Sequence, residues 1–317
     1  MTRILITGAL GQLGTELTAY LREQLSPEQV LATDIRQPEQ PEEGPFAILD
    51  VTDGERLAML VRKHRITQIY HLAAILSAKG EEQPLRTWQV NMESWLNILE
   101  VARTHEIKKV YFPSSIAVFG KDTPARHTPQ FTYLSPRTVY GISKQAGEQW
   151  GQYYYERYGL DVRSLRYPGL ISYKNPPGGG TTDYAVDIFY AALREGSYTC
   201  FLEPDTYLPM MYMPDAVRGT VELMETPAER ISTHTGYNMG AMSFSPKDLA
   251  TAIRKELPDF SMDYKPDFRQ KIAETWPDSL DDQLARQDWG WKEAFGLQSM
   301  TADMLTNLRK KITEVVS

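Results

Sequence analysis

Through the first half of the chain, short β-rich runs alternate with longer helical stripes, and this alternation limits the possible folds more than any other feature. "RILITG", "QVLATD", "FAILDV", "QIYHLAA", "KKVYFPSS" and "DVRSLRYPGLIS" have strand character. Between the first two, Leu13, Leu17, Tyr20, Leu21 and Leu25 follow helical spacing, as do Trp88, Met92, Trp95, Leu96, Leu99 and Ala102 further on. Strands that alternate with amphipathic helices predict an α/β fold with a doubly wound parallel sheet. Past residue 170 the Pro/Gly-rich breaks "NPPGGG" and "EPDTYLPMMYMPD" surround a helical "YAVDIFYAALREG". The expected division is a nucleotide-binding domain over 1–170, a return to it at about 208–240, and a smaller α/β substrate lobe over the rest of 171–317. Residues 214–226 read as a helix going back to the sheet, and Ser245 as the N-cap of a helix that starts with proline.

With 34 Lys and Arg against 41 Asp and Glu, the net charge is −7. There is no basic block, so nucleic acid and anionic membrane surfaces are poor partners. No apolar run approaches the roughly 20 residues that span a bilayer. A strand signal at residue 3 leaves no room for a leader, which predicts a cytoplasmic protein. Cys200 is the only cysteine, and neither His71 nor His127 has a partner at metal-ligand spacing, so no metal site is expected.

"LITGALGQLGTEL" sets Gly8, Gly11 and Gly14 between a strand and a helix, with Leu10, Gln12 and Leu13 in the turn. Such a turn brings backbone close to a pyrophosphate at a helix N-terminus. The spacing differs from the common G-x-G-x-x-G, so position carries the argument. Asp34 arrives 20 residues after Gly14 at the end of the second strand, where a carboxylate accepts both ribose hydroxyls and repels a 2′-phosphate. This favours NAD. Acidic residues also end strands in ordinary turns, and Arg36, just past Ile35, keeps a 2′-phosphate open. Asp50 and Val51 at the third strand end are candidates for the adenine side, although Asp50 equally fits a turn leading into the helix that starts near Asp53. Leu72, Ala73 and Ala74 end the fourth strand, where small residues let a dinucleotide cross the sheet.

"VYGISKQ" puts Tyr140 and Lys144 one helical turn apart. An ammonium beside a phenol favours the phenolate, so the pair suits a general base, although tyrosine and lysine at this spacing are common on any helix. Ser114 and Ser115 close the fifth strand, where a hydroxyl can orient an alcohol or simply satisfy backbone. Trp150, Tyr154 and Tyr158 share one face of the same helix while Tyr153 and Tyr155 do not. This pattern fits local packing or a subunit interface equally, and a homodimer through this helix and its neighbour is the expectation carried forward.

"TGALGQLG", "HLAA", Asn91, "PSSIAVFG" and "YGISK" resemble, in order and spacing, the extended short-chain dehydrogenase/reductase superfamily, which includes sugar-nucleotide epimerases and dehydratases. The resemblance covers residues 1 to about 170. It implies Ser115, Tyr140 and Lys144 as catalytic residues and Asn91 as holder of a water in a proton relay. "LRYPGLIS" lacks the asparagine that the sugar-nucleotide enzymes place after their sixth strand. Together with "YLPMMYMPDAV", "YNMGAMSFSP" and "WPDSLDDQLARQDWGW" it is similar, over nearly the whole length, to the short-chain type of L-threonine 3-dehydrogenases.

That resemblance implies NAD-dependent oxidation of the side-chain hydroxyl of L-threonine, a small-molecule partner, with Leu170 at the nicotinamide end. A zwitterionic substrate needs partners for both charges. Thr181, Thr182 and Ser77 are candidates for the carboxylate and Asp183 for the ammonium. Trp276 is a candidate wall of the pocket or ordinary packing. Residues 178–183 are expected to close over the ligand on family grounds. The remaining alternatives are a sugar-nucleotide enzyme of the same superfamily and a non-catalytic dinucleotide sensor.

Overall fold

The computed structural model describes residues 2–175 and 180–316. The strands are β1 (Ile4–Thr7), β2 (Val30–Asp34), β3 (Phe46–Ile48), β4 (Gln68–His71), β5 (Lys109–Ser115), β6 (Asp161–Tyr167), β7 (Gly169–Ile171), β8 (Ser197–Cys200), β9 (Leu208–Tyr212), β10 (Gly236–Asn238), β11 (Met242–Phe244) and β12 (Ser261–Tyr264). The helices are α1 (Gln12–Gln24), α2 (Gly54–His64), α3 (Ser77–Gly80), α4 (Pro84–Thr104), α5 (Val139–Tyr158), α6 (Tyr184–Arg194), α7 (Met213–Glu225), α8 (Pro246–Glu256), α9 (Phe268–Ala273), α10 (Gln283–Trp289) and α11 (Leu297–Val316).

Seven strands form one parallel sheet in the order β10-β6-β5-β4-β1-β2-β3. The doubly wound sheet is therefore present, and its strand order reverses between β1 and β4, where such sheets bind ligands. One apolar cluster, with Leu57, Trp95, Leu99 and Val162, packs α2, α4 and α5 on one face. Another, with Leu17, Leu21, Val217 and Val221, packs α1 and α7 on the other. Trp95 shows how α4 is fixed. Its ring is fully buried and its Nε1 donates to the Gly147 carbonyl of α5 at 3.1 Å, so the indole buries its apolar area without losing its hydrogen bond. Burying such a side chain contributes about 1.5–3 kcal/mol.

The helical stripes run as the spacing predicts except at their ends. Leu25 caps α1 and Trp88 lies one turn into α4, and both are exposed. Ser245 caps α8 in a reciprocal capping box with Asp248, as its position before Pro246 suggested.

"DVRSLRYPGLIS" is not one strand. Pro168 has no N–H to donate, and the chain changes sheets across it: β6 stays in the large sheet, while β7 pairs with β9 in a second sheet ordered β11-β9-β7. The later half does come back to the large sheet, but through α7 on α1 and β10 beside β6; β9 itself lies in the second sheet. A third cluster, containing Tyr184, Phe189, Phe201, Leu249 and Met304, forms the core of the second lobe and reaches the turn at 116–119.

Candidate active site

The dinucleotide turn is built on close backbone approach. Gly8 has φ +69°, and a Cβ there would stand 2.7 Å from the Ala73 nitrogen. At Gly14, in the first turn of α1, a Cβ would lie 2.2 Å from the Gly8 carbonyl. The free N-terminus of α1 thus sits against the ends of β1 and β4, a cradle suited to a pyrophosphate. Asp34, 7% exposed at the end of β2, accepts the Leu10 N–H at 3.1 Å, the Arg36 N–H at 3.1 Å and Arg36 Nε at 3.3 Å. Both Arg36 bonds go to Oδ1, so Oδ2, which accepts the Leu10 N–H, keeps a lone pair for a ribose hydroxyl. The buried Gln12 Nε2 has no hydrogen-bond partner among the described residues and borders the same space. A cavity of about 940 Å³, lined among others by Leu10, Gly11, Gln12, Arg36 and Ala74, leads into a cleft of about 240 Å³. These features fit NAD.

Not every candidate reaches this space. Asp50 lies past the end of β3, where it accepts the N–H and hydroxyl of Thr52 in a local turn. Val51 is buried in the core, Ile35 is 65% exposed beyond β2, and Ala73 packs beneath Gly8; none of them lines either cavity. In each case the strand ends one to three residues before the position that the sequence pattern favoured.

The smaller cleft does collect Gly8, Gly11, Gln12, Leu13, Gly14, Leu72, Ala74, Ser77, Ser114, Ser115, Tyr140, Lys144, Leu170, Thr181, Thr182, Asp183 and Trp276. Three parts of the chain supply it. β5 ends at Ser115, whose Oγ accepts the Ala117 N–H at 3.2 Å and caps the turn that follows. Thr138 caps α5 by accepting the Gly141 N–H at 3.0 Å. A Cβ at Gly141 would meet the Ala117 carbonyl at 2.1 Å, so the glycine between tyrosine and lysine lets α5 press against the end of β5. As a result Ser115 hydrogen-bonds the Tyr140 phenol. Beyond Pro168, Leu170 and the segment 180–183 close the far side. Asp183 accepts the Gly180 N–H at 2.7 Å, whereas the buried Thr181 hydroxyl has no hydrogen-bond partner among the described residues. Residues 178 and 179 of the expected closing loop lie outside the described residues.

The electrostatics correct the simple expectation for the tyrosine and lysine. Tyr140 is partly open to the cleft, yet burial pushes its phenol up to about 12, with the Ser115 hydrogen bond opposing. Lys144 is 4% exposed, with Nζ 4.7 Å from the Phe112 ring centroid and 5.4 Å from that of Tyr140. Burial drops its ammonium to about 7. In the free protein desolvation of both groups outweighs their mutual attraction, so proximity alone does not make Tyr140 acidic.

A stability prediction follows. Lys144 binds its proton more weakly folded than unfolded, so its burial opposes folding fully below pH about 7 and is relieved as pH rises toward its ordinary value of 10.5. Lys144→Met should melt higher than wild type at pH 6, with the gap narrowing through pH 7–10. A variant no more stable at pH 6 contradicts this.

Two candidates are engaged elsewhere. The Asn91 amide donates to the Ile75 carbonyl at 3.1 Å and the Ser143 hydroxyl at 3.3 Å, and its Oδ1 accepts the Ile75 N–H at 2.8 Å. It clamps the chain after β4 to α5 and does not line the cleft. Ser114 borders the cleft, but its hydroxyl donates to Glu148 at 2.5 Å. His71 is structural: it sits between Thr7 and Ser94 and stacks on Trp95, and burial holds it neutral, down to about 3. Glu148 was not singled out from sequence. Its place four residues after Lys144 on the same stripe was the available signal.

The sequence matches the family described as NAD dependent epimerase/dehydratase over residues 4–240. An uncharacterized epimerase/dehydratase of Staphylococcus aureus is 48% identical, over 99% of this chain and 98% of its own. The holo form of a GalE-like L-threonine dehydrogenase from Cupriavidus necator superposes with a TM-score of 0.95 at 55% identity, covering 96% of this chain and 99% of that one. A monomeric L-threonine 3-dehydrogenase from a metagenome, in its apo form, gives a TM-score of 0.95 at 46% identity, with 97% and 99% covered. With its parallel sheet, its glycine turn and these relatives, the chain belongs to the NAD-dependent epimerase/dehydratase family.

Proposed function

We propose that this protein is an NAD-dependent L-threonine 3-dehydrogenase, converting the side-chain alcohol of L-threonine into 2-amino-3-ketobutyrate. The observation that carries the reading is the convergence of Ser115, Tyr140 and Lys144 with Leu170 and Thr181–Asp183 on one small cleft next to the dinucleotide turn. Tyr140 takes the hydroxyl proton, and Ser115 holds the alcohol oxygen. Lys144 hydrogen-bonds the nicotinamide ribose and adds positive charge beside Tyr140. NAD, held by the glycine turn and Asp34, would supply the hydride acceptor for Cβ and a further positive charge that favours a phenolate. Asn91 acts by holding α5 and the loop after β4 in place, near the relay suggested for it. The Thr181 hydroxyl, unpartnered among the described residues, receives the substrate carboxylate with Thr182 and Ser77; Asp183 meets the ammonium; Trp276 walls the pocket.

The test is NADH formation when purified protein meets NAD and L-threonine, beside product analysis with UDP-galactose and GDP-mannose as rival substrates, because epimerisation and dehydration return the hydride and leave no net NADH. Threonine alone should give turnover. Reaction with a sugar nucleotide and none with threonine overturns the reading, and tight NAD binding without turnover on any alcohol points to a sensor.

The protein further acts as a homodimer through α4 and α5. Trp150, Tyr153 and Tyr158 are each at least 39% exposed around a groove that also includes Ala146 and Gln149, more aromatic surface than an unpartnered helix normally shows. Light scattering should give twice the chain mass, with Tyr153→Glu shifting it to one. A monomeric wild type removes the dimer, and the monomeric metagenomic relative shows that this fold can stand alone.

A further inference from the structure

Tyr140, Lys144 and Glu148 follow one another at four-residue intervals along α5, and the third of them is fully buried. Glu148 receives two parallel bonds from Arg166 of β6, Nε to Oε1 at 2.9 Å and Nη2 to Oε2 at 2.8 Å. Ser114, the neighbour of Ser115, adds a third from β5. Arg166 also donates through Nη1 to the Gln130 carbonyl at 3.0 Å and to Asn238 Oδ1 at 3.1 Å, and Asn238 lies on β10. One carboxylate thus ties the helix that carries the tyrosine and lysine to the strand end that carries the serine.

Such a pair is costly to desolvate, and an apolar packing of equal volume would commonly be as stable. What it adds is direction: a bidentate guanidinium fixes the height and rotation of α5 more tightly than apolar contact does. The reacting groups lie one and two turns away, so a shift in α5 goes directly into the Ser115–Tyr140 distance.

We propose that Glu148, Arg166 and Ser114 form a positioning network that sets the Ser115–Tyr140–Lys144 geometry. This rests on the reading of those three residues as the reacting centre. The network touches no reacting atom, and its contribution lies in turnover rather than in binding.

The experiment compares Ser114→Ala, Arg166→Lys and Tyr140→Phe with wild type. It measures kcat, KM for threonine and for NAD, the pH dependence of kcat/KM, and NADH affinity. Ser114→Ala removes one hydrogen bond and adds no volume, so it retains the fold. Arg166→Lys keeps the charge but loses the parallel bonds, at a site outside the cleft. Both should lower kcat about tenfold, with NADH affinity and both KM values within about twofold, as expected for misplacement of reacting groups by a fraction of an ångström. Both should also move the pH at which kcat/KM rises, because the environment of Tyr140 changes; the groups facing it are Ser115 from β5 and Lys144 on its own helix. Should Arg166→Lys fail to fold, Ser114→Ala decides alone. Wild-type kcat and pH profile in the folded variants, beside an inactive Tyr140→Phe, overturn the network's role and leave the reacting centre standing. A rise confined to the threonine KM in Ser114→Ala reassigns that serine to substrate binding and also overturns it. An active Tyr140→Phe removes the underlying reading, and this proposal with it.

Discussion

Tyr140→Phe should lose about 10²- to 10⁴-fold in kcat, the range typical for removal of a positioned proton acceptor. The ring packs beside the core of the second lobe, and phenylalanine preserves that contact. Only the hydroxyl and its hydrogen bond to Ser115 disappear. The variant should therefore fold, melt near wild type and bind NADH normally. Because burial holds the phenol up to about 12, a base role for Tyr140 requires charge brought into the cleft when the cofactor binds. Steady-state rates with saturating NAD and threonine, together with an NADH titration, check both parts. Turnover within tenfold of wild type contradicts the assignment of Tyr140 as base.

Gly14→Ala should be the most damaging change to cofactor binding. Its Cβ would stand 2.2 Å from the Gly8 carbonyl, 2.8 Å from the Ala9 Cα and 2.9 Å from the Ala9 carbonyl carbon. All three are backbone atoms of the turn that meets the pyrophosphate, so no rotamer change can make room. Relief requires the turn to open away from α1, which costs about 1–3 kcal/mol of stability as overpacking does elsewhere. Misplaced N–H donors should weaken NAD by about two orders of magnitude, or about 2.7 kcal/mol. Gly159→Ala is the control. Gly159 has φ +68° at the C-terminus of α5, and a methyl added there would meet no atom within 4 Å, so the substitution carries only backbone strain of about 1–2 kcal/mol. Calorimetric NAD titration should separate the two, and equal affinities would show that the turn tolerates the methyl.

Much of this arrangement was legible in the sequence because it depends on short-range order. The β-rich runs became strands of the large sheet, and a glycine turn between the first strand and helix could go only to the sheet edge. Tyr140 and Lys144 share a face because the helix period is fixed. What was hidden depends on where elements stop. Strand β3 ends at Ile48, so Asp50 falls into a turn, and β6 stops at Pro168, so one predicted strand became two in different sheets. Which of two adjacent serines meets the phenol depends on where β5 gives way to its terminal turn. The acid–base balance was hidden for another reason. Spacing shows that an ammonium is near a phenol, but not how much water both have lost.

The interleaving of the two halves bears on how this protein can be divided. β10, which flanks β6, and α7, which covers α1, both come from beyond residue 200. A fragment ending near residue 170 would present an open strand edge alongside bare Leu17 and Leu21, a combination prone to self-association. Truncation near residue 170 should therefore be a poor route to an isolated nucleotide-binding unit.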